Sequence, residues 1–435
     1  MNIVTSGKKI LYQIRQDSLL TNSYALTVSN LLTALGGYLY WVFAARRFEE
    51  TAIGLASAAI SSMGLIDLIT NLGLGTGLIR FLAHETAPRG YKLIRIATTL
   101  RAVLVILATT IFLMGLPVWG KGLAILTENW SYGVAFFAIV ILNALFLTAN
   151  AVFIAMRLSS FVLYTSLLFN LSKIITVLLI PVKLDVLGLL LVVMFAFVIT
   201  TGAQFLYYLP RIGDRFVQSV RTCSNQIKGF LIYSASNQLA DSLMVLPQVA
   251  LPLMVLNALG PEANAHFYTA WMTAGILRSL SLSVAQAAFA ESVAEPSLLK
   301  DKLQKALVMI MTTILTGVGF IALFAPKLLA FFGDSYSTVA ASLLRLLALS
   351  VIPVGPISIY ISALRVRKQT RELMILSIIW VSAGLSGAYL GIRLGGMEGV
   401  AKGWLAGQVI ALVVIGMMSL GQWATTDRYE NKTHR

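Results

Sequence analysis

Residues 48–85 read FEETAIGLASAAISSMGLIDLITNLGLGTGLIRFLAHE. Between Thr51 and Ile79 the only ionisable residue is Asp67. A membrane-crossing helix needs about 20 mostly apolar residues, so this stretch is long enough to cross. A charge at mid-bilayer costs about 2.5–3.5 kcal/mol even on lenient insertion scales. Asp67 therefore faces either packed protein or a water-filled path. Ser57, Ser61, Gly64, Asp67 and Asn71 recur at steps of three or four, which places them on one helix face.

The same reading extends along the chain. Twelve apolar stretches of crossing length lie near 22–44, 53–79, 97–117, 131–155, 160–181, 185–208, 230–256, 266–290, 305–325, 338–363, 373–392 and 399–422. The short alternating segments of a membrane barrel, about 10 residues each, are not found. The chain is 58% hydrophobic and 12% charged, with a mean hydropathy of +0.83. A soluble domain is about 45–50% apolar and about 25% charged. The expectation is an all-α integral membrane protein. Cys223 is the only cysteine, which excludes disulfides and cysteine metal clusters.

The net charge of +15 points to the membrane surface rather than to nucleic acid, because the basic residues fall in short connections and no RNA-binding motif is present. Alternate connections carry 23 and 7 of the Lys and Arg residues, with three more inside spans. That bias places both termini in the cytoplasm and the protein in the cytoplasmic membrane. The polar stretch from Met1 to Ser18 reads as a cytoplasmic tail before a retained first span.

The longest connection, 209–229, divides six spans from six, giving an N-terminal lobe at 1–208 and a C-terminal lobe at 230–435. The halves are weakly alike. Residues 259–295, LGPEANAHFYTAWMTAGILRSLSLSVAQAAFAESVAE, repeat the acidic loop, small-and-aromatic span and charged centre of 48–85. A Ser-Asn pair precedes each, Ser29-Asn30 and Ser236-Asn237. Six spans per repeat give parallel repeats, an arrangement that favours a cleft between two lobes and alternating access by rocking them.

Five ionisable residues lie inside spans: Asp67, Lys173, Asp241, Arg278 and Arg345. Polar stripes surround four of them. Span five carries Ser166, Asn170, Lys173 and Thr176; span seven carries Ser234, Asn237, Gln238, Asp241 and Gln248; span eight carries Trp271, Gly275, Arg278 and Ser281. Two readings stand for such stripes, a helix-packing seam and a wet cavity. Asp67 and Asp241 either couple an ion, H+ or Na+, or neutralise Arg278 or Lys173. Arg345 either lines the path or snorkels to the nearer surface. The surplus of positive charge suits an anionic ligand, and the planar fork of arginine suits phosphate. Pro247, Pro252, Pro353, Pro356 and Gly36-Gly37 are candidate hinges.

No GxxxxGK[ST] loop, HExxH motif or Ser/His/Asp set is present, and no cofactor is implied. The expectation is a transporter rather than an enzyme. LGLGTGLIRFLA, Leu72 to Ala83, is similar to the leucine-glycine-then-arginine exit of span two in the Wzx-type oligosaccharide flippases of the multidrug/oligosaccharidyl-lipid/polysaccharide exporter superfamily. LGPEANAHFYTAW, Leu259 to Trp271, resembles that family's loop into span eight. The resemblance implies two six-helix lobes around a central cavity. It also implies transfer of a polyprenyl-diphosphate-linked glycan between leaflets, with glycan polymerase and glycosyltransferases as partners. By that resemblance Arg278 matches a cationic position on span eight. Lys173, Arg80 and Arg345 are expected to assist at the diphosphate, and Asn237 and Trp271 at the glycan. Span one lacks the arginine cluster of the peptidoglycan-precursor branch, which favours a polysaccharide repeat unit as cargo. The rivals are a cation-coupled drug antiporter of the same superfamily and a non-transporting subunit of a glycan-assembly complex.

Overall fold

Helix makes up most of each of the twelve expected stretches in the computed structural model, which describes residues 18–82, 87–215, 226–294, 299–366 and 369–433. Among the described residues there is no strand. Among the described residues ten segments are long and apolar enough to cross a membrane. One of them, Arg371–Met418, turns at Gly395 and Gly396 and so holds two crossings. The eighth expected span lies within Pro261–Ala294, with Arg278 near its centre. Leu107, Ile111, Met114 and Val118 are all exposed along one helix. An apolar outer stripe at helical spacing is what lipid, as solvent, requires. The chain is a multi-pass membrane protein.

The chain forms two compact units, Met1–Leu239 and Ala240–Arg435. The main helices of the first are α1 (Ser18–Arg47), α2 (Glu50–Thr70), α3 (Leu74–Leu82), α4 (Ala87–Trp119), α5 (Trp130–Ala155), α6 (Ser159–Leu179) and α7 (Asp185–Ala203). Helix α1 lies along α6. Ser29 Oγ donates to Ser166 Oγ at 2.9 Å, a Cβ on Gly36 would collide with Asn170, and Arg47 donates to the carbonyls of Val177 and Ile180. The contacts advance in the same direction along both helices, so α1 and α6 run parallel. Gly36 is therefore a point of close approach rather than a hinge.

Span two is not one continuous helix over 53–79. Leu72 and Gly73 adopt φ values of 45° and 69°, a left-handed pair that ends α2 and restarts the chain as α3. Glycine tolerates that conformation freely, whereas leucine holds it only under constraint.

The second unit begins within α8 (Gln226–Leu259) and continues with α9 (Pro261–Ala294), α10 (Leu299–Ala330), α11 (Ala341–Leu349), α12 (Val354–Val366) and α13 (Thr370–Thr433). Helix α8 runs unbroken through Pro247 and Pro252. Pro353 does mark a break, since residues 350–353 separate α11 from α12. The two halves of α13 meet glycine against glycine. A Cβ on Gly387 would strike the Gly403 carbonyl, and one on Gly391 the Gly399 carbonyl. Small residues at this spacing let membrane helices approach backbone to backbone.

Candidate functional site

Helix α9 packs against α10, α11 and α12, and its polar face opens into a cleft of the second unit. Trp271, Ala274, Gly275, Arg278, Leu347, Ser350, Val351, Val354 and Trp404 line it, around a small recess of about 10 Å³, room for about one water molecule. The break between α11 and α12 supplies Ser350 and Val351 to the lining. Trp271 is stacked on Phe267 at 5.9 Å and meets Trp404 edge-on at 5.5 Å. Arg278 lies over Trp271, 4.6 Å from the ring centroid. Trp404 is itself wedged beside Trp380, whose indole donates to Gln408. The aromatic platform under Arg278 is thus braced by Trp404 and Trp380. Among the described residues Arg278 has no carboxylate or other hydrogen-bond partner, so its donors remain available to a ligand.

Lys173 occupies a different setting in the first unit. It is 9% exposed, and its ammonium lies 4.8 Å from the ring centres of both Tyr40 and Phe169. Two cation–π contacts replace part of its lost hydration. It has neither hydrogen bond nor ion pair among the described residues. The stripe of span five is accordingly a seam against α1: Ser166, Asn170 and Lys173 are buried, with Ser29, Gly36 and Tyr40 opposite. Asn170 donates to the Ser166 carbonyl, and its Oδ1 is buried without a partner.

Asp67 pairs with neither Lys173 nor Arg278. Its partner is Arg101, which also donates to Thr148 Oγ1 at 3.0 Å. Arg101 is 2% exposed, although sequence reasoning did not single it out. The first turns of the apolar stretch at 97–117 already contain it, and that overlap was the available signal. The hydroxyls of the Asp67 stripe serve packing. Ser57 and Ser61 are buried and donate to their own helix at the Gly54 and Ser57 carbonyls.

The remaining candidates separate. Arg345 is exposed on α11 and donates to the Ala322 carbonyl at 3.0 Å, away from the cleft that Leu347 and Ser350 enter. Arg80 is exposed at the end of α3, 5.8 Å from the Phe81 ring. The side chains of Asn237 and Asp241 lie outside the described residues. Trp271 and Arg278 are brought together; Lys173, Arg345 and Arg80 stand in separate surroundings. Among the described residues no group of three His, Cys, Asp or Glu could hold a metal ion.

No protein-family model and no curated protein matches the chain. Solved structures do. The lipid II flippase MurJ in an inward closed conformation aligns with a TM-score of 0.74 at 11% identity, over 89% of this chain and 86% of that one. An inward-facing multidrug resistance MATE family transporter of the MOP superfamily aligns at 0.67 and 17% identity, over 92% of this chain and 99% of that one. A MATE structure in the straight conformation gives 0.64 and 17%, over 94% and 96%. The protein therefore has the MATE and MurJ fold.

Proposed function

We propose that this chain is a flippase. Its cargo would be a polyprenyl-diphosphate-linked oligosaccharide, moved from the cytoplasmic to the outer leaflet by alternating access for cell-surface polysaccharide assembly. The observation that carries the reading is Arg278. A guanidinium over Trp271 at 4.6 Å from the ring centroid, lining a recess and with no carboxylate beside it among the described residues, suits phosphate oxygens. A site for cationic drugs would be expected to offer a carboxylate instead. In this reading Arg278 binds the diphosphate and Trp271 borders the glycan; Lys173 and Asn237 are the cargo contacts proposed for the first unit. Arg345 and Arg80 contribute at most from the periphery. The prenyl tail stays in lipid. Both termini lie in the cytoplasm, and glycan polymerase and glycosyltransferases act before and after the transfer.

Ion coupling is part of the proposal. Asp67 is already held by Arg101, so coupling through it requires that pair to open; Asp241 is the alternative carrier, for H+ or Na+. The test is Arg278→Ala in a cell whose surface glycan depends on this chain. Surface glycan should disappear while the protein persists in the membrane at its normal level. Normal glycan export would remove the site.

The second reading, cation-coupled drug export, draws on the MATE structures, which share 17% identity with this chain against 11% for MurJ. A drug-susceptibility panel on a deletion strain separates the two. Unchanged resistance with lost glycan supports the flippase; the reverse supports the exporter.

A further inference from the structure

One end of the first unit carries a surface that the transport reading does not use. There α5 ends at Ala155, α6 begins at Ser159, and α7 runs on through Gln204–Tyr208 into a tight turn at Leu209–Arg215. Leu158 and Ile212 are buried in one shared cluster, so the three chain ends sit side by side. Tyr208 packs on Phe161 at 4.7 Å and Phe153 packs edge-on to Phe161 at 5.6 Å, anchoring the turn from inside.

Outside that anchor the surface changes character. Leu206 is 84% exposed, and Tyr207 and Tyr164 are 54% and 53% exposed. Arg211 lies flat on Tyr207 with its guanidinium carbon 3.3 Å from the ring centre, and it donates to the Tyr207 carbonyl at 3.2 Å. That is its only hydrogen bond among the described residues. Arg157 is exposed at the turn between α5 and α6, held at φ 56°. It has no ion pair among the described residues. The single acid of the 209–229 connection is Asp214, whose side chain lies outside the described residues.

We propose that this end docks the phosphate headgroup of an anionic membrane lipid. Arg211 and Arg157 donate to the phosphate, while Leu206, Tyr164 and Tyr207 lie along the boundary between headgroup and acyl chain. Lipid is the fitting occupant because Val182–Ile212 is a crossing segment, so its end is the membrane boundary. Tyrosine concentrates at that depth, and juxtamembrane arginines are drawn to anionic lipid. Stacking on Tyr207 orients the fork of Arg211 in advance, so less side-chain freedom is lost on binding.

The test uses the purified full-length chain titrated with phosphatidylglycerol, phosphatidylcholine and glycerol 3-phosphate, read by native mass spectrometry. Phosphatidylglycerol should be retained in preference to phosphatidylcholine, and glycerol 3-phosphate should not displace it. Arg157→Gln with Arg211→Gln should weaken phosphatidylglycerol binding about 25-fold, on the basis of about fivefold for each arginine, and leave phosphatidylcholine unchanged. Tyr207→Leu, which keeps both charges but removes the platform, should weaken it less. All three sites are exposed, and an unchanged melting temperature will show that the variants fold. Equal retention of the two lipids, wild-type binding by the double variant, or displacement by glycerol 3-phosphate would overturn the proposal.

Discussion

Arg101 and Lys173 are both buried cations of the first unit, at 2% and 9% exposure. Arg101 is enclosed by Asp67 and Thr148. Lys173 has two aromatic faces and no anion among the described residues. The first is an ion pair with a hydroxyl partner that ties α2 to α4 and α5, with only the Arg101 Nε left without an acceptor among the described residues. The second is half of such a pair. In apolar surroundings an uncompensated charge is a cost that folding alone does not explain. In the proposed reading, Arg101 belongs with the charges that hold the protein together, and Lys173 and Arg278 are the cations that a ligand would meet.

Breaking the closed pair should give the largest effect. Arg101→Ala strands Asp67, and removing one partner of a buried pair costs about 3–5 kcal/mol. The melting temperature in detergent should fall sharply. Replacing both partners together, Asp67→Leu with Arg101→Leu, should recover most of the loss, since an apolar substitute for a buried pair is often neutral. A double variant as unstable as the single one would show that the pair is not a self-contained unit.

Lys173→Met should behave in the opposite way. It removes a buried charge without stranding another, so the melting temperature should rise, while glycan transport falls about tenfold for one lost charge-assisted contact. A fall in stability like that of Arg101→Ala would erase the distinction between the two cations. Arg345→Gln should do least. It sits exposed with a carbonyl partner, and both stability and transport should stay within about twofold of wild type. A large transport defect there would return Arg345 to the site.

Much of the fold was legible because lipid imposes a blunt rule on composition. Length and hydropathy located all twelve stretches, since each must satisfy its own backbone hydrogen bonds. The breaks were less legible. Leu72-Gly73 sits in the run TNLGLGTG, 70–77, whose Asn and Gly residues are turn signals that a length rule alone passes over. The glycine seam of α13 follows the Gly399, Gly403, Gly407 spacing, a signal visible in sequence once the turn at Gly395 and Gly396 is known. For the site, hydropathy found the buried charges but not their partners. Asp67 was visible; that Arg101 would leave the basic connection to meet it depends on how α4 enters the unit. Trp271 and Arg278 are seven positions apart on one helix, so their stacking was within reach of periodicity. Trp404, which completes the platform from α13, was not.

The most direct test of the central claim, that the unpaired cations await a phosphorylated lipid, is equilibrium binding of a polyprenyl diphosphate to the purified chain. Affinity should fall at least about tenfold in Arg278→Ala and further in Arg278→Ala with Lys173→Met, for charge-assisted contacts of about 1.5–3 kcal/mol each, while both variants keep the wild-type fold. Wild-type affinity in the double variant would contradict the account.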